Sequence, residues 1–252
     1  MLAPTDVIGS DTMQLDKDLQ ARQEARDLAK QADLAQRELF AYPQEKLDAI
    51  TRSVSEAFAA AAAELAQMAV EETGFGNVND KITKNQFASR RVLETIAPMK
   101  TVGILKEGPG LWEVGVPVGV IAAIVPSTNP TSTVCYKAMI ALKAGNAIIF
   151  SPHPKALACT LRATLLVAEA AEKAGAPKGC VSCLTIPSLD GCRELMGAAE
   201  VRLILATGGP AMVKAAYSSG KPAIGVGAGN GPAYIHSSAN IQEAISAILR
   251  SK

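Results

Sequence analysis

Five short segments in the second half of the chain carry residue types suited to holding a nucleotide. They are Pro126-Ser-Thr-Asn-Pro130, Ser151-Pro-His-Pro154, Pro187-Ser-Leu189, Thr207-Gly-Gly-Pro210 and Gly225-Val-Gly-Ala-Gly-Asn-Gly231. Small hydroxyl, amide and glycine residues let a phosphate come close to the backbone, above all where a helix begins. Each glycine, taken singly, also reads as an ordinary turn or helix cap. The familiar fingerprints are missing. No G-x-G-x-x-G follows a strand with an acidic residue about 20 positions on, and there is no Walker A loop, H-E-x-x-H or G-x-S-x-G.

The thiols and imidazoles offer less. The chain has five cysteines, Cys135, Cys159, Cys180, Cys183 and Cys192, and two histidines, His153 and His236. An odd cysteine count in a chain of this size fits free thiols in a reducing compartment. Cys180-Val-Ser-Cys183 has no second C-x-x-C to complete a zinc site, so no metal is expected. It also falls in an apolar run read as a buried strand, away from the exposed helix start that activates redox thiols.

The five segments need a frame, and the apolar pattern supplies one. From Gly119 the chain alternates short apolar strands, at 120–125, 147–150, 180–186, 201–206 and 223–226, with helices at 131–143, 155–173, 189–198 and 211–217. The helices at 131–143, 155–173 and 211–217 end at Gly145, Gly175 and Gly220. This is the βαβ signature of a parallel sheet covered on both faces. Right-handed crossovers make it a doubly wound, Rossmann-like α/β layer, with the five segments at the carboxyl ends of the strands. An extended piece at 233–236 and a helix at 241–250 follow.

The first hundred residues differ in texture. Leu47, Ile50, Val54, Phe58, Ala61, Leu65 and Met68 fall at helical spacing between Pro43 and Gly74, which predicts one amphipathic helix. Residues 14–40 and 79–97 read as two more. Runs at 101–105 and 111–118 flank Lys106-Glu-Gly-Pro-Gly110 and predict a projecting β-hairpin, with Trp112 read as a packing residue. The organisation expected is a helical segment at 1–100, a hairpin at 101–118 and a cofactor layer at 119–252.

Composition sets the class. The chain has 252 residues, 48% hydrophobic and 19% charged, enough for a packed core. A net charge of +1 gives no general attraction to nucleic acid or an anionic membrane. No apolar run reaches the ~18–20 residues of a membrane span. Residues 1–12 carry Asp6 and Asp11 and no basic residue, unlike a signal or transit peptide. A cytoplasmic location is the expectation.

Several stretches together resemble the aldehyde dehydrogenase superfamily, and within it the CoA-acylating branch. They are Val116-Pro-Val-Gly-Val-Ile-Ala-Ala-Ile-Val-Pro126 with Ser127-Thr-Asn-Pro-Thr131, Lys143-Ala-Gly-Asn-Ala147, and Phe150-Ser-Pro-His-Pro154. Glu71-Glu-Thr-Gly-Phe-Gly-Asn-Val-Asn-Asp-Lys81 with Lys84-Asn85, and the 225–231 turn followed by Pro232-Ala-Tyr-Ile235, are similar to that branch as well. The likeness covers about residues 14–252. It implies a modified Rossmann layer without G-x-G-x-x-G, which accounts for the missing fingerprint.

The resemblance implies the following roles. Asn129 corresponds to an oxyanion-hole asparagine, whose amide N–H stabilises charge on a tetrahedral thiohemiacetal; its other reading is a turn-forming Asn before Pro. Pro126, Ser127, Thr128, Ser151, His153, Pro154, Thr207, Gly208, Gly209, Val226, Gly227 and Gly229 correspond to the cofactor cleft, with Thr207–Gly209 nearest the diphosphate. His153 reads equally as a ribose or CoA contact and as a passive surface residue. Ser151 and Pro154 stand where other members carry Lys and Glu, which leaves NAD or NADP open. The turn at 225–229 lacks the glutamate that hydrolytic members use to activate water, so CoA can take the acyl group. The hairpin corresponds to an oligomerisation arm, implying a homo-oligomer. The implied reaction converts a small aldehyde, CoA and NAD(P)⁺ to acyl-CoA and NAD(P)H, in the cytoplasm or a bacterial microcompartment. None of the five cysteines corresponds to the nucleophile, which is expected about ten residues past Lys252, so this chain is expected to be inactive by itself. A glutamyl-phosphate reductase-like enzyme and a non-catalytic nucleotide-binding or oligomerisation module are the alternatives.

Overall fold

The computed structural model describes residues 16–227, 229 and 231–251. The reading of 1–12 and the positions of Ala228 and Asn230 within the glycine-rich turn lie outside the described residues. The layer is α/β. Strands β3 (Val120–Ile124), β4 (Ala147–Ser151), β5 (Val181–Cys183), β6 (Val201–Thr207) and β7 (Ala223–Val226) form one parallel sheet in the order β5-β4-β3-β6-β7. The chain winds outward from β3 to β5, then returns to lay β6 against the other side of β3. That reversal is a topological switch point, and a crevice opens there beyond the carboxyl ends. Both β3 and β4 are buried at all five positions, as a sheet covered on both faces requires.

Helices α6 (Pro130–Lys143) and α7 (Leu157–Lys173) make the crossovers from β3 to β4 and from β4 to β5. α2 (Gln44–Ala60) packs on both of them. On the return, α8 (Leu189–Gly197) leads into β6 and packs against α1 (Lys17–Leu39). α1 buries Ala21, Ala25, Ala29, Ala32 and Ala35 along one stripe. Small side chains allow close approach, and Gly191 of α8 matches them: a Cβ there would stand 3.2 Å from both the Ala21 Cβ and the Ala21 carbonyl oxygen. Phe58, Met139, Leu142, Ile148, Ile149 and Phe150 are fully buried in the core. α9 (Pro210–Tyr217) connects β6 to β7.

Four readings are corrected, the last of them that of Trp112 in the hairpin. The helix expected between Pro43 and Gly74 is two helices, α2 and α3 (Ala62–Thr73), separated at Ala61 with φ −91° and ψ 7°. α2 follows α6 and α7, whereas α3 turns onto α4 (Val78–Gln86) and α7. Tertiary packing overrides the helix propensity of the alanine run. The helix expected over 79–97 opens into a π-helical turn at Phe87–Arg91 before α5 (Val92–Ile96). The piece at 233–236 is exposed and joins no strand.

The hairpin forms as β1 (Gly103–Gly108) and β2 (Leu111–Gly115), paired antiparallel. Its root is tied down: the Gln44 Oε1 accepts from the Thr101 and Val102 N–H groups, and the Thr101 hydroxyl donates to the Lys143 carbonyl. Lys143 Nζ reaches Asp48 at 2.6 Å. Trp112 does not pack in this chain; it is 62% exposed on β2, beside exposed Leu111 and Val114. No described helix is long and apolar enough to cross a membrane.

One buried cation sits under the switch point. Lys137 of α6 donates to the carbonyls of Ile124 at 2.9 Å and Leu205 at 2.8 Å, joining β3 to β6 near their carboxyl ends. Burial pushes its ammonium group down to about 7. The unfolded group titrates near ~10.4. Between these values the unfolded chain holds a proton that the folded chain does not, so this group makes stability rise with pH from about 7 to about 10. Relative to Lys137→Met, the unfolding free energy of the wild-type chain should gain about 2 kcal/mol between pH 7 and pH 9. Urea unfolding of both proteins at the two pH values checks this; parallel pH slopes would refute it.

Candidate cofactor cleft

The loops after β3, β4, β6 and β7 surround one cleft of about 1040 Å³ at the switch point. This lies at the upper end of the ~300–1,000 Å³ usual for small-molecule sites. Pro126, Ser127, Thr128 and Asn129 come from the loop after β3. Ser151, His153 and Pro154 follow β4, Thr207, Gly208 and Gly209 follow β6, and Val226, Gly227 and Gly229 come from the end of β7 and its turn. The structure thus brings all thirteen sequence-read positions to one cavity.

Each wall has a local cause. α9 starts with Gly209 as its N-cap and Pro210 at its first turn, and no side chain caps it. Its first N–H groups are therefore left without a capping side chain at the cleft. Proline needs no such partner and is suited to this position. Gly225 must be glycine: a Cβ would stand 2.6 Å from Val213 Cγ1 and 2.8 Å from Tyr217 Cε2. Its N–H donates to the Tyr217 hydroxyl at 2.9 Å, fixing β7 to α9. In the second loop, His153 Nδ1 accepts from the Lys155 N–H at 3.1 Å. A neutral ring held this way carries its proton on Nε2.

Asn129 is the N-cap residue of α6, but its side chain caps nothing. Its backbone carbonyl accepts from the Thr133 hydroxyl at 2.6 Å. Its side-chain Oδ1 accepts instead from Lys84 Nζ at 3.2 Å, and Lys81 Nζ donates to the neighbouring Thr128 carbonyl at 2.7 Å.

Sequence reasoning missed part of the lining. Ser132, Thr133 and Tyr136 face the cleft from the first turns of α6, Cys192 from α8, and Ala211 and Met212 from α9; Ser188 and Leu189, of the Pro187–Leu189 segment read from the sequence, line it as well. The Tyr136 hydroxyl lies 3.5 Å from the Thr207 hydroxyl, spanning the switch point. The available signal was helix arithmetic: once α6 starts at Pro130, positions 132, 133 and 136 share its crevice side. A smaller hollow of about 380 Å³ adjoins, shares Ser132 and Tyr136, and is lined also by Thr83, Lys84, Phe87, Ala88 and Val92.

The electrostatics suit a ligand that brings its own charge. No carboxylate is among the described residues lining the cleft. Glu72, the acid beside the start of α7, is already engaged with the N–H groups of Ala158 and Cys159 at 2.8 Å. Burial would raise its pKa, but the hydrogen bonds outweigh that and hold it below the usual range. All five cysteines are free and buried. Burial pushes the thiols of Cys159, Cys180 and Cys183 up to about 12, and those of Cys135 and Cys192 upward as well. Thiols in that state are poor nucleophiles. Among the described residues no cluster of histidine, cysteine and carboxylate side chains could hold a metal ion.

Known proteins share this arrangement. The bifunctional aldehyde-alcohol dehydrogenase of Escherichia coli (strain K12) is 48% identical over 231 residues, 91% of this chain and 26% of that protein. The crystal structure of an acetylating aldehyde dehydrogenase from Geobacillus thermoglucosidasius superposes with a TM-score of 0.88 at 53% identity, covering 94% of this chain and 53% of that one. A propionaldehyde dehydrogenase from Rhodopseudomonas palustris, solved with bound CoA and an acylated cysteine, matches at 34% identity with a TM-score of 0.71 over 82% of this chain and 47% of that one. The chain therefore spans about a quarter of the first relative and about half of the two solved structures. With the model of the aldehyde dehydrogenase family matching residues 12–252, the chain belongs to the aldehyde dehydrogenase family.

Proposed function

We propose that this chain is the cofactor-binding portion of a CoA-acylating aldehyde dehydrogenase, which converts an aldehyde, CoA and NAD(P)⁺ to acyl-CoA and NAD(P)H. The observation that carries this reading is the convergence of the strand-end loops on one cleft at the switch point, beside the uncapped start of α9. A helix N-terminus flanked by Gly208 and Gly209 suits a dinucleotide diphosphate. Pro126, Ser127, Thr128, Val226, Gly227 and Gly229 form the rest of the cofactor wall. Ser151, His153 and Pro154 take the adenosine side, and no carboxylate in that loop repels a 2′-phosphate, so both NAD⁺ and NADP⁺ are admitted.

Asn129 supplies the oxyanion donor. The thiohemiacetal and thioester form on a cysteine outside residues 1–252, since the buried thiols described here do not suit that attack. CoA, itself an adenosine nucleotide, shares the adenosine side of the cleft. The turn at 225–229, without a carboxylate, leaves the acyl group to a thiol rather than to water. The exposed face of the hairpin that carries Trp112 and Val114 pairs with a second copy of the chain in a homo-oligomer.

Isothermal titration of this chain should show saturable NAD⁺ binding. Gly209→Asp places a carboxylate at the N-cap of α9, where it favours the helix but repels the diphosphate. The variant should keep or raise its melting temperature and lose at least about tenfold in NAD⁺ affinity. Unchanged affinity would remove α9 from the cofactor site, and no NAD⁺ binding by the wild-type chain would overturn the reading as a whole. CoA should displace NAD⁺ competitively in the same titration; simultaneous binding of both would separate their sites. Aldehyde, CoA and NAD⁺ added to this chain should give no NADH absorbance.

A further inference from the structure

We infer that Lys84 is a positioning residue: it holds the side-chain amide of Asn129 by its oxygen, so that the two N–H donors are presented to the cleft. The inference rests on the assignment of Asn129 as oxyanion donor in the proposed function. It concerns a helix outside the Rossmann-like layer, none of whose residues line that cleft.

The argument begins with α4. Asn77 caps it, its side chain accepting from the Asp80 N–H at 2.9 Å. Lys81, Lys84 and Asn85 follow at i, i+3 and i+4 and so share one face. That face meets the start of α6 at three points. Lys81 Nζ donates to the Thr128 carbonyl at 2.7 Å, Lys84 Nζ to Asn129 Oδ1 at 3.2 Å, and Asn85 Oδ1 accepts from the Thr131 hydroxyl at 2.9 Å. Asn85 is anchored in turn through Nδ2 to the Ala62 carbonyl at 3.1 Å. Lys81 and Asn85 are buried, and hold the Thr128 carbonyl and the Thr131 hydroxyl on either side of Asn129.

Within that frame the Asn129 side chain has one choice left, which end of its amide faces α4. An ammonium group has three donors and no acceptor, so only the oxygen can meet it. Nδ2 then lies on the other side of the amide and makes no hydrogen bond among the described residues, while Asn129 lines the cleft. The positive charge on the oxygen also polarises the amide, making its N–H groups stronger donors. Two like charges one turn apart repel each other. Burial and the Lys84 charge both lower the Lys81 pKa, which is the electrostatic cost of holding the pair together. Placing both on one loop makes sense if the loop must be held in one geometry, as an oxyanion donor requires.

The test uses this chain and side-chain ¹H–¹⁵N spectra, with the Asn129 Nδ2 pair assigned by its loss in Asn129→Asp. In Lys84→Met the pair should leave its wild-type position for that of a freely hydrated amide. In Lys84→Arg, which keeps a donor of the same charge, the pair should stay near it. In Lys81→Met the backbone peaks of Thr128 and Asn129 should move instead. An Asn129 pair unmoved in Lys84→Met, or equally displaced in the Met and Arg variants, would overturn the inference. Lys84 is exposed, so its variants are expected to fold, and a melting curve of each confirms that. The spectra contain no nucleotide, so a failure to bind NAD⁺ would end the functional reading without affecting this measurement.

Discussion

The structure turns on the reversal of strand order between β3 and β6. At that seam two parallel strands end side by side while their connections leave in opposite directions. Among the described residues no segment closes the gap, which makes it a crevice. The carbonyls at its floor lie too deep for free hydration and need partners. Lys137 satisfies two of them, from Ile124 and Leu205, with one side chain. A lysine is an expensive choice, since burial disfavours its charge. It offers three donors on a flexible stem, and no apolar residue in its place could meet both strands. The cleft therefore stays open above a floor that is already bonded.

The walls depend on that floor, and a second layer of support comes from the amino-terminal helices. α4 grips the loop after β3 through Lys81, Lys84 and Asn85. Glu72 of α3 accepts from the N–H groups at the start of α7, and Glu24 of α1 accepts from Thr185 and Ile186 after β5. In each case polar side chains from a helix outside the sheet meet a loop or a helix start, with Lys81, Glu72 and Glu24 bonding its backbone. Residues 16–100 thus act as a brace around the carboxyl edge of the sheet. The same brace reaches the hairpin, where Gln44 and Lys143 bind Thr101 at its root. The hairpin projects from a fixed base while its apolar side chains stay exposed.

What was legible in the sequence follows from the range of the interactions involved. The strands were visible because β3 and β4 are buried on both faces and read as unbroken apolar runs. The loops were visible because glycine, proline and hydroxyl residues cluster where the runs stop. The break at Ala61 was not visible, because alanine favours helix on both sides of it and the turn is set by what α2 and α3 pack against. Trp112 read as a packing residue because large aromatics usually are; only the geometry of the hairpin shows that this chain offers it nothing to pack on. Lys81, Lys84 and Lys137 were missed for a common reason. A lysine on a helix reads as a solvated charge, and the real partners here, backbone carbonyls for Lys81 and Lys137 and the Asn129 side-chain oxygen for Lys84, lie 13 to 68 positions away in sequence.

The buried thiols complete the same logic. An aldehyde site that works through a cysteine gains nothing from other thiolates near it, because each would compete for the electrophile. Cys192 lies at the wall of the cleft, where a reactive thiol would do most harm. Burial raises its pKa, and the opposing influence of the Ser151 hydroxyl and of Arg193 does not cancel that. At Cys135 on α6, Cys159 on α7 and the pair Cys180 and Cys183 burial is again the largest cause, with Glu72 adding to it at Cys159, Glu172 and Glu38 at Cys180, and Glu24 at Cys183. Desolvation suppresses the nucleophile at all five positions while keeping the small, polarisable side chain that the core uses. Under the proposed function, a segment that binds cofactor and presents amide donors thus carries five cysteines without diverting the chemistry it serves.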